Sequence, residues 1–182
     1  MIDRRSLLLG AGAVLLANRP ASAAAFELDP KYAPTQVYYP GYPAGTVVVD
    51  PKHHFLFHVD ADGFATRYGV GVGRAGLSLT GTALVGRKAE WPFWRPTDAM
   101  IKRSPKRYAR YAKGMPGGPR NPLGARALYL YRDGVDTMYR IHGTTEPSSI
   151  GQSVSNGCIR MINDHVIALY EVVPVGATVV VL

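Results

Sequence analysis

Two residues stand out for chemistry: Cys158, the one cysteine in 182 residues, and His142, which opens a His-Gly pair upstream of it. A thiol at its free pKa is only a few per cent ionised at neutral pH, so a cysteine nucleophile needs a base or a positive neighbour. His142 can be that base and Arg160 can add positive charge. Gly157, just before the cysteine, permits a backbone turn that a β-carbon would obstruct, so amide N–H groups around Gly157 and Cys158 can converge on a developing oxyanion. Such donors are typically worth ~3 kcal/mol each of barrier. The chemistry would be acyl transfer or hydrolysis through a Cys–His pair. Each residue also has an ordinary alternative: a small buried hydrophobe, a satisfied core histidine, a plain turn, a surface cation. Order and spacing leave that choice open.

The compartment sharpens the question. Met1-Ile2-Asp3-Arg4-Arg5-Ser6 is followed by an apolar run from Leu7 to Ala17 and by Arg19-Pro20-Ala21-Ser22-Ala23. Residues 1–23 read as an export signal with a small-residue cleavage site, of twin-arginine type from Arg4 and Arg5, and the mature chain is expected to begin near Ala24. The run falls well short of the roughly 20 residues that cross a hydrocarbon core, so no stable membrane span is expected. An exported protein normally pairs its cysteines or lacks them, and a lone thiol there calls for a reason. The formal charge of +8 falls to +6 without the signal, which carries three arginines and one aspartate. That balance favours an anionic partner. Basic and aromatic residues interleave from Lys102 to Lys113 as nucleic-acid binders do, but export points to the cell envelope and away from nucleic acid.

The elements that must hold these residues are mostly strands. Residues 24–45, rich in Pro and Tyr, read as a linker or an extended strap, with regular structure expected from Thr46. Thr46–Asp50, Phe55–Val59 and Phe64–Gly73 read as a meander of short strands, the pattern of a β-sandwich or barrel. His53, His54 and His58 crowd together, but strand alternation and an intervening turn separate their rings, so no metal site is read there. Residues 74–124 are dominated by glycine, proline and basic residues and read as a long central loop, a lid or binding loop. Its tryptophans, Trp91 and Trp94, could form a stacking surface or plug the end of the sandwich. Ala125–Tyr131 and Thr137–Ile141 read as strands, the second delivering His142 to a strand end, where rigid support meets an open loop. Asn163-Asp164 can cap a helix whose apolar positions are Val166, Leu169, Tyr170 and Val173, and Thr178–Leu182 reads as a closing strand.

The stretch from Ile141 to Arg160 resembles the signature of the L,D-transpeptidase catalytic domain, the YkuD-like family: a His-Gly, then Ser-His-Gly-Cys and an apolar residue, then Arg or Asn. The similarity extends back through Gly117-Gly118-Pro119, Asn121-Pro122-Leu123-Gly124, the Trp-Pro-x-Trp stretch and Thr80-Gly81-Thr82 to the early strands, covering residues 46–182. It implies a mostly β fold, a sandwich of mixed sheets with a short helix after the cysteine. It also implies Cys158 as nucleophile, His142 as base, the Gly143 carbonyl as orienter of the imidazole, and Ser155 and Gly157 as shapers of the oxyanion turn. Arg160 would help hold a substrate carboxylate. Asn156 departs from the pattern, which has a second histidine there. Asn donates a hydrogen bond but takes up no proton near neutral pH, so a positioning role survives and a titrating one does not. The implied partners are peptidoglycan stem peptides, with an outer-membrane protein as one option for the acyl acceptor, and the implied chemistry uses neither metal nor organic cofactor. Alternatives of other classes are a wall-peptide hydrolase or carboxypeptidase using the same acyl-enzyme, and a non-catalytic wall-binding module.

Overall fold

A computed structural model of the chain describes residues 26–182; the expected export signal lies outside the described residues. The strands are β1 (Thr35–Tyr38), β2 (Val47–Asp50), β3 (Phe55–Val59), β4 (Phe64–Gly69), β5 (Val72–Gly73), β6 (Gly81–Glu90), β7 (Arg126–Arg132), β8 (Val135–His142), β9 (Ser153–Ser155), β10 (Ile159–Arg160) and β11 (Thr178–Val181), with helices α1 (Asp98–Arg103), α2 (Pro105–Tyr108) and α3 (Asn163–Val172). Nine strands form one mixed sheet in the order β1-β4-β3-β2-β11-β6-β7-β8-β10, and β5 pairs with β9 in a second. The fold is mostly β with mixed sheets, as the sequence pattern predicts.

Val47, Val48 and Val49 of β2 are all fully buried, the signature of a strand covered on both faces. On one face Val47 and Val49 join Leu56, Val85, Leu128, Leu130 and Ile141 from across the sheet, together with Val166 and Leu169 of α3 and Val173 just past its end. On the other, Val48, Phe57, Val59 and Ala65 lie beneath Val37, Tyr39 and Tyr42, Tyr39 stacking on Phe57 at 4.1 Å between ring centroids. The Pro/Tyr-rich segment therefore straps the sheet. Regular pairing begins earlier than expected, at Thr35, because β1 docks on β4 as an edge strand. Its side chains are largely exposed, so it carries no alternating apolar signal.

Two further expectations are corrected. The stretch 74–124 is not without regular structure: it contains the ten-residue β6, which pairs with β11 and β7. Glycine and charged residues on the exposed face of β6 conceal a strand whose buried positions are Ala83 and Val85. The predicted third strand breaks into β4 and β5, because Gly71 between them bridges to Arg160, with N–H···O distances of 2.9 and 2.7 Å. That bridge brings the β8–β10 end of the sheet back against the β4–β5 segment. Among the described residues no helix is long and apolar enough to cross a membrane.

Candidate active site

His142 is the last residue of β8, held between β7, where it faces Ala127, and β10, where it faces Arg160. Its ring is buried, and Nδ1 lies 2.5 Å from the Gly143 carbonyl oxygen. With Nδ1–H donating to that carbonyl, Nε2 carries the lone pair. Burial lowers its pKa from 6.5 to about 4; the Gly143 carbonyl opposes this, the Arg160 and Arg140 cations add to it, and the Leu123 carbonyl opposes it more weakly. At neutral pH the imidazole is uncharged and able to accept a proton.

The residue that supplies this accepting carbonyl, Gly143, is a glycine for a steric reason. A β-carbon there would collide with Oδ1 of Asn163 and come within 3.0 Å of the Ala125 nitrogen. Asn163, expected as a helix cap, makes no capping bond. Its amide instead accepts from the N–H groups of Ala125 (3.1 Å) and Thr144 (3.3 Å) and donates to the Thr144 carbonyl (3.2 Å), tying the loops on either side of His142.

The cysteine loop is built by Ser155, itself buried. Its hydroxyl donates to the Cys158 carbonyl at 2.6 Å and accepts the Gly157 N–H at 3.0 Å. Gly157 has φ +126°, and a β-carbon would meet the Leu77 carbonyl and the Tyr139 ring, each at 2.6 Å, so glycine is required. The Gly157 N–H is already engaged, leaving the amide of Cys158 as the donor this turn can offer.

Cys158 is free and partly accessible. Its Sγ hydrogen bond runs to the Met138 carbonyl at 3.9 Å, not to His142. The walls around it are close enough that desolvation raises the thiol pKa; the backbone N–H of Arg140 and the Arg140 and Arg160 cations pull it down. Thiol and imidazole therefore rest as a neutral pair.

Two cavities share Cys158 in their walls. One, of about 270 Å³, has His142, Thr144, Glu146, Arg107 and Arg160 in its wall along with Cys158. The other, of about 720 Å³, is walled by Met138, Tyr139, Arg140, Trp91 and Phe93, again with Cys158. Trp94, Met100, Leu123 and Asn156 border both. Residues 91–125 form the roof, a lid containing α1 and α2. Its base is closed by Trp94 and Met115, bonded through both backbone pairs, and by Asn121, whose buried amide donates to the carbonyls of Pro92 and Pro116, each at 3.0 Å. Trp94 packs edge-on against Tyr108 and Tyr111, so it both plugs the lid and borders the cavities.

Asn156 reaches up to this lid. Its Oδ1 accepts from Arg103 of α1 at 2.8 Å, and its Nδ2 donates to the Tyr108 hydroxyl of α2 at 3.1 Å. Arg160 donates to Glu146 at 2.7 Å, and Arg107 lies 3.7 Å from the other Glu146 oxygen. Glu146 thus sits between the Arg160 and Arg107 guanidinium groups. The three histidines of the first hairpin have separate partners: His53 with Asp50, His54 with Ser153, His58 with Asp60.

The fold thus brings Cys158, His142, Gly143, Ser155, Gly157, Asn156 and Arg160 to one place. Sequence reasoning missed Met138, Arg140, Asp136, Glu146 and Tyr108. Glu146 and Tyr108 act through contacts made only after the sheet and lid assemble, and Asp136, Met138 and Arg140 through a bulge that exists only in the register of β8 with β7.

Comparisons with known proteins identify the family of the chain. Residues 44–181 match the family of the L,D-transpeptidase catalytic domain. A probable L,D-transpeptidase ErfK/SrfK of Escherichia coli is 34% identical over 149 residues, 80% of this chain and 46% of that protein; the chain spans about half the length of the curated relatives it matches. A solved structure from Brucella melitensis, described as a probable carnitine operon oxidoreductase, is 52% identical with a TM-score of 0.59, covering 85% of this chain and 96% of that one. An L,D-transpeptidase from Mycobacterium smegmatis superposes with a TM-score of 0.55 at 18% identity, over 75% of this chain and 58% of that one, a likeness of fold alone.

Proposed function

Because the chain belongs to the L,D-transpeptidase catalytic domain family, we propose that it is a peptidoglycan L,D-transpeptidase working through Cys158 and His142. The observation that carries this is the place of the sulfur. It sits where two cavities join, with a neutral buried imidazole in the wall of one. A transferase must bring a donor and an acceptor to the same atom from different directions, and two approaches suit that need better than one.

The reaction starts from Cys158 turning from the Met138 carbonyl toward His142. Nε2 takes the thiol proton as Sγ bonds to the carbonyl carbon of the third, L-centred residue of a stem tetrapeptide. The amide of Cys158 faces the resulting oxyanion. His142 returns the proton to the nitrogen of the terminal D-alanine, whose C–N bond breaks, leaving a thioester. An acceptor amine then attacks the thioester and gives up a proton through His142, and the thiol is regenerated. The amine comes from a neighbouring stem or from an outer-membrane protein. Gly143 fixes the imidazole, Ser155 and Gly157 shape the turn, Asn156 positions the lid, and Arg160 exchanges Glu146 for a substrate carboxylate. The catalytic domain spans 46–182, after an export signal at 1–23 of twin-arginine type and the strap at 24–45, and the site of action is the periplasm.

Purified muropeptides carrying tetrapeptide stems test this, incubated with the mature chain and with Cys158→Ala. Cross-linked dimers plus free D-alanine are expected, both absent with the variant. Tripeptide monomers alone would assign the same acyl-enzyme to a hydrolase. Binding without release of D-alanine would make the chain a wall-binding module.

A further inference from the structure

Strand β8 is irregular where it passes β7. Tyr129 faces Arg140 and Tyr131 faces Asp136, so Leu130 alone spans the interval that Thr137, Met138 and Tyr139 occupy. Bulges of this kind re-aim the chain beside functional sites. The middle residue, Met138, has φ +64°, a left-handed conformation that crowds a β-carbon and that glycine normally fills. An unbranched thioether has no local reason to adopt it, so the surroundings must impose it.

They do so through one ion pair, in which Arg140 is buried and Asp136 half-buried. Asp136 Oδ1 accepts the Met138 N–H at 2.8 Å, and its carboxylate takes the Arg140 fork at 2.7 and 2.9 Å. Arg140 is 9% exposed; it also donates to the Tyr139 carbonyl at 2.9 Å and lies 4.3 Å from the centroid of the Tyr129 ring. The Thr137 hydroxyl fills the gap in the ladder, donating to the Leu130 carbonyl at 2.6 Å and accepting the Tyr139 N–H at 3.2 Å. The whole network aims one group at the site, the Met138 carbonyl that meets Cys158 Sγ.

A partly buried ion pair is weak evidence of stability, since desolvation and solvent screening offset much of its attraction. Its use in holding a strained residue against a reactive sulfur calls for a different explanation. We infer that Asp136 and Arg140 are positioning residues for the nucleophile: their fork locks the bulge at Met138 so that its carbonyl holds the Cys158 thiol at the junction of the two cavities. This rests on the assignment of Cys158 as the nucleophile.

The experiment follows covalent uptake of a carbapenem by intact mass over time. Asp136→Ala is expected to slow acylation about 10- to 100-fold, the scale of a small misplacement of a reacting group. Adding Met138→Gly to it restores most of the rate, because glycine adopts this backbone unaided. Met138→Val, which leaves Asp136 and Arg140 in place, slows acylation by itself, since a β-branched residue resists positive φ. The pH midpoint of Cys158 alkylation by iodoacetamide falls in Asp136→Ala and in the double variant alike, both having lost a negative charge that raises the thiol pKa. Acylation of Asp136→Ala at the wild-type rate, or a double variant as slow as the single one, overturns the inference. Should Asp136→Ala fail to fold, Met138→Val decides, and an unchanged rate overturns it. A wild-type chain that takes up no carbapenem would instead refute the nucleophile itself, and the positioning role with it.

Discussion

In the parallel pairing of β8 with β10, Arg160 stands directly opposite His142. Two residues separated in the chain by a glycine-rich loop become neighbours through strand register, and the loop between them carries the sulfur. The rest of the site is hung on this register: Met161 N–H closes on the His142 carbonyl at 2.8 Å, and Ser155 folds the loop back onto the Cys158 carbonyl.

The pH dependence of acylation should show an acid limb near 4, not near 6.5. His142 must be unprotonated to take the thiol proton, and burial holds its pKa at about 4, so activity is lost only as pH falls through that value. Initial acylation rates between pH 3.5 and 8, read by intact mass, test this. A limb centred on 6.5 would mean that the imidazole is solvated.

Stability should fall on acidification before activity chemistry does. A histidine whose folded pKa lies below its unfolded one contributes stability that is present above the unfolded pKa and is lost as pH drops toward the folded one. For His142 that window runs from 6.5 to about 4, on the order of 3 kcal/mol at most by the usual conversion. His54, His58 and His165, also shifted down by burial, act in the same direction. Urea unfolding at pH 7 and pH 4.5 should show the loss, and His142→Gln should make it smaller.

Asn156→Ala should loosen the lid without unfolding the sheet. It removes the acceptor for Arg103 and the donor to Tyr108, contacts near the surface worth about 1 kcal/mol each. Cleavage by trypsin between residues 102 and 113 should speed up several-fold while the thermal midpoint moves little. Unchanged cleavage would show that the lid is held from its base alone, by Asn121 and the Trp94–Met115 pair.

Asn163→Ala should be among the more damaging single changes outside the sulfur. It strands the N–H groups of Ala125 and Thr144 and the Thr144 carbonyl, and unsatisfied buried groups cost roughly 1–3 kcal/mol each. With all three contacts only partly buried the low end applies, and a loss of about 3 kcal/mol in chemical denaturation is expected, with acylation slowed because the Gly143 carbonyl loses its support. A loss under ~1 kcal/mol would contradict the latch.

Part of this molecule was legible in its residues because the causes are local. A β-branched run such as Val47–Val49 reads as a strand wherever it occurs, and Phe55–Val59 was bounded correctly by its flanking turns. Gly157 could be read as a turn because only glycine tolerates such a backbone. Strand β6 was concealed because its exposed face carries the residues of a loop, and β1 because an edge strand with Val37 alone turned onto the sheet shows no period. Asn163 looked like a cap because the same amide chemistry serves a cap and a latch, and only the packing of two distant loops against it chooses between them.

What the sequence by itself determined is the inventory: one sulfur, one imidazole ending a strand, glycines where β-carbons are excluded, and a family signature that links them. Tertiary structure decided the charge states, the direction in which the sulfur hydrogen-bonds, which amide of the turn is free, and the ion pair that strains Met138. Most of those properties depend on burial and on contacts between residues far apart in the chain; the ion pair is local in sequence, but the bulge it spans exists only because β8 is held in register with β7.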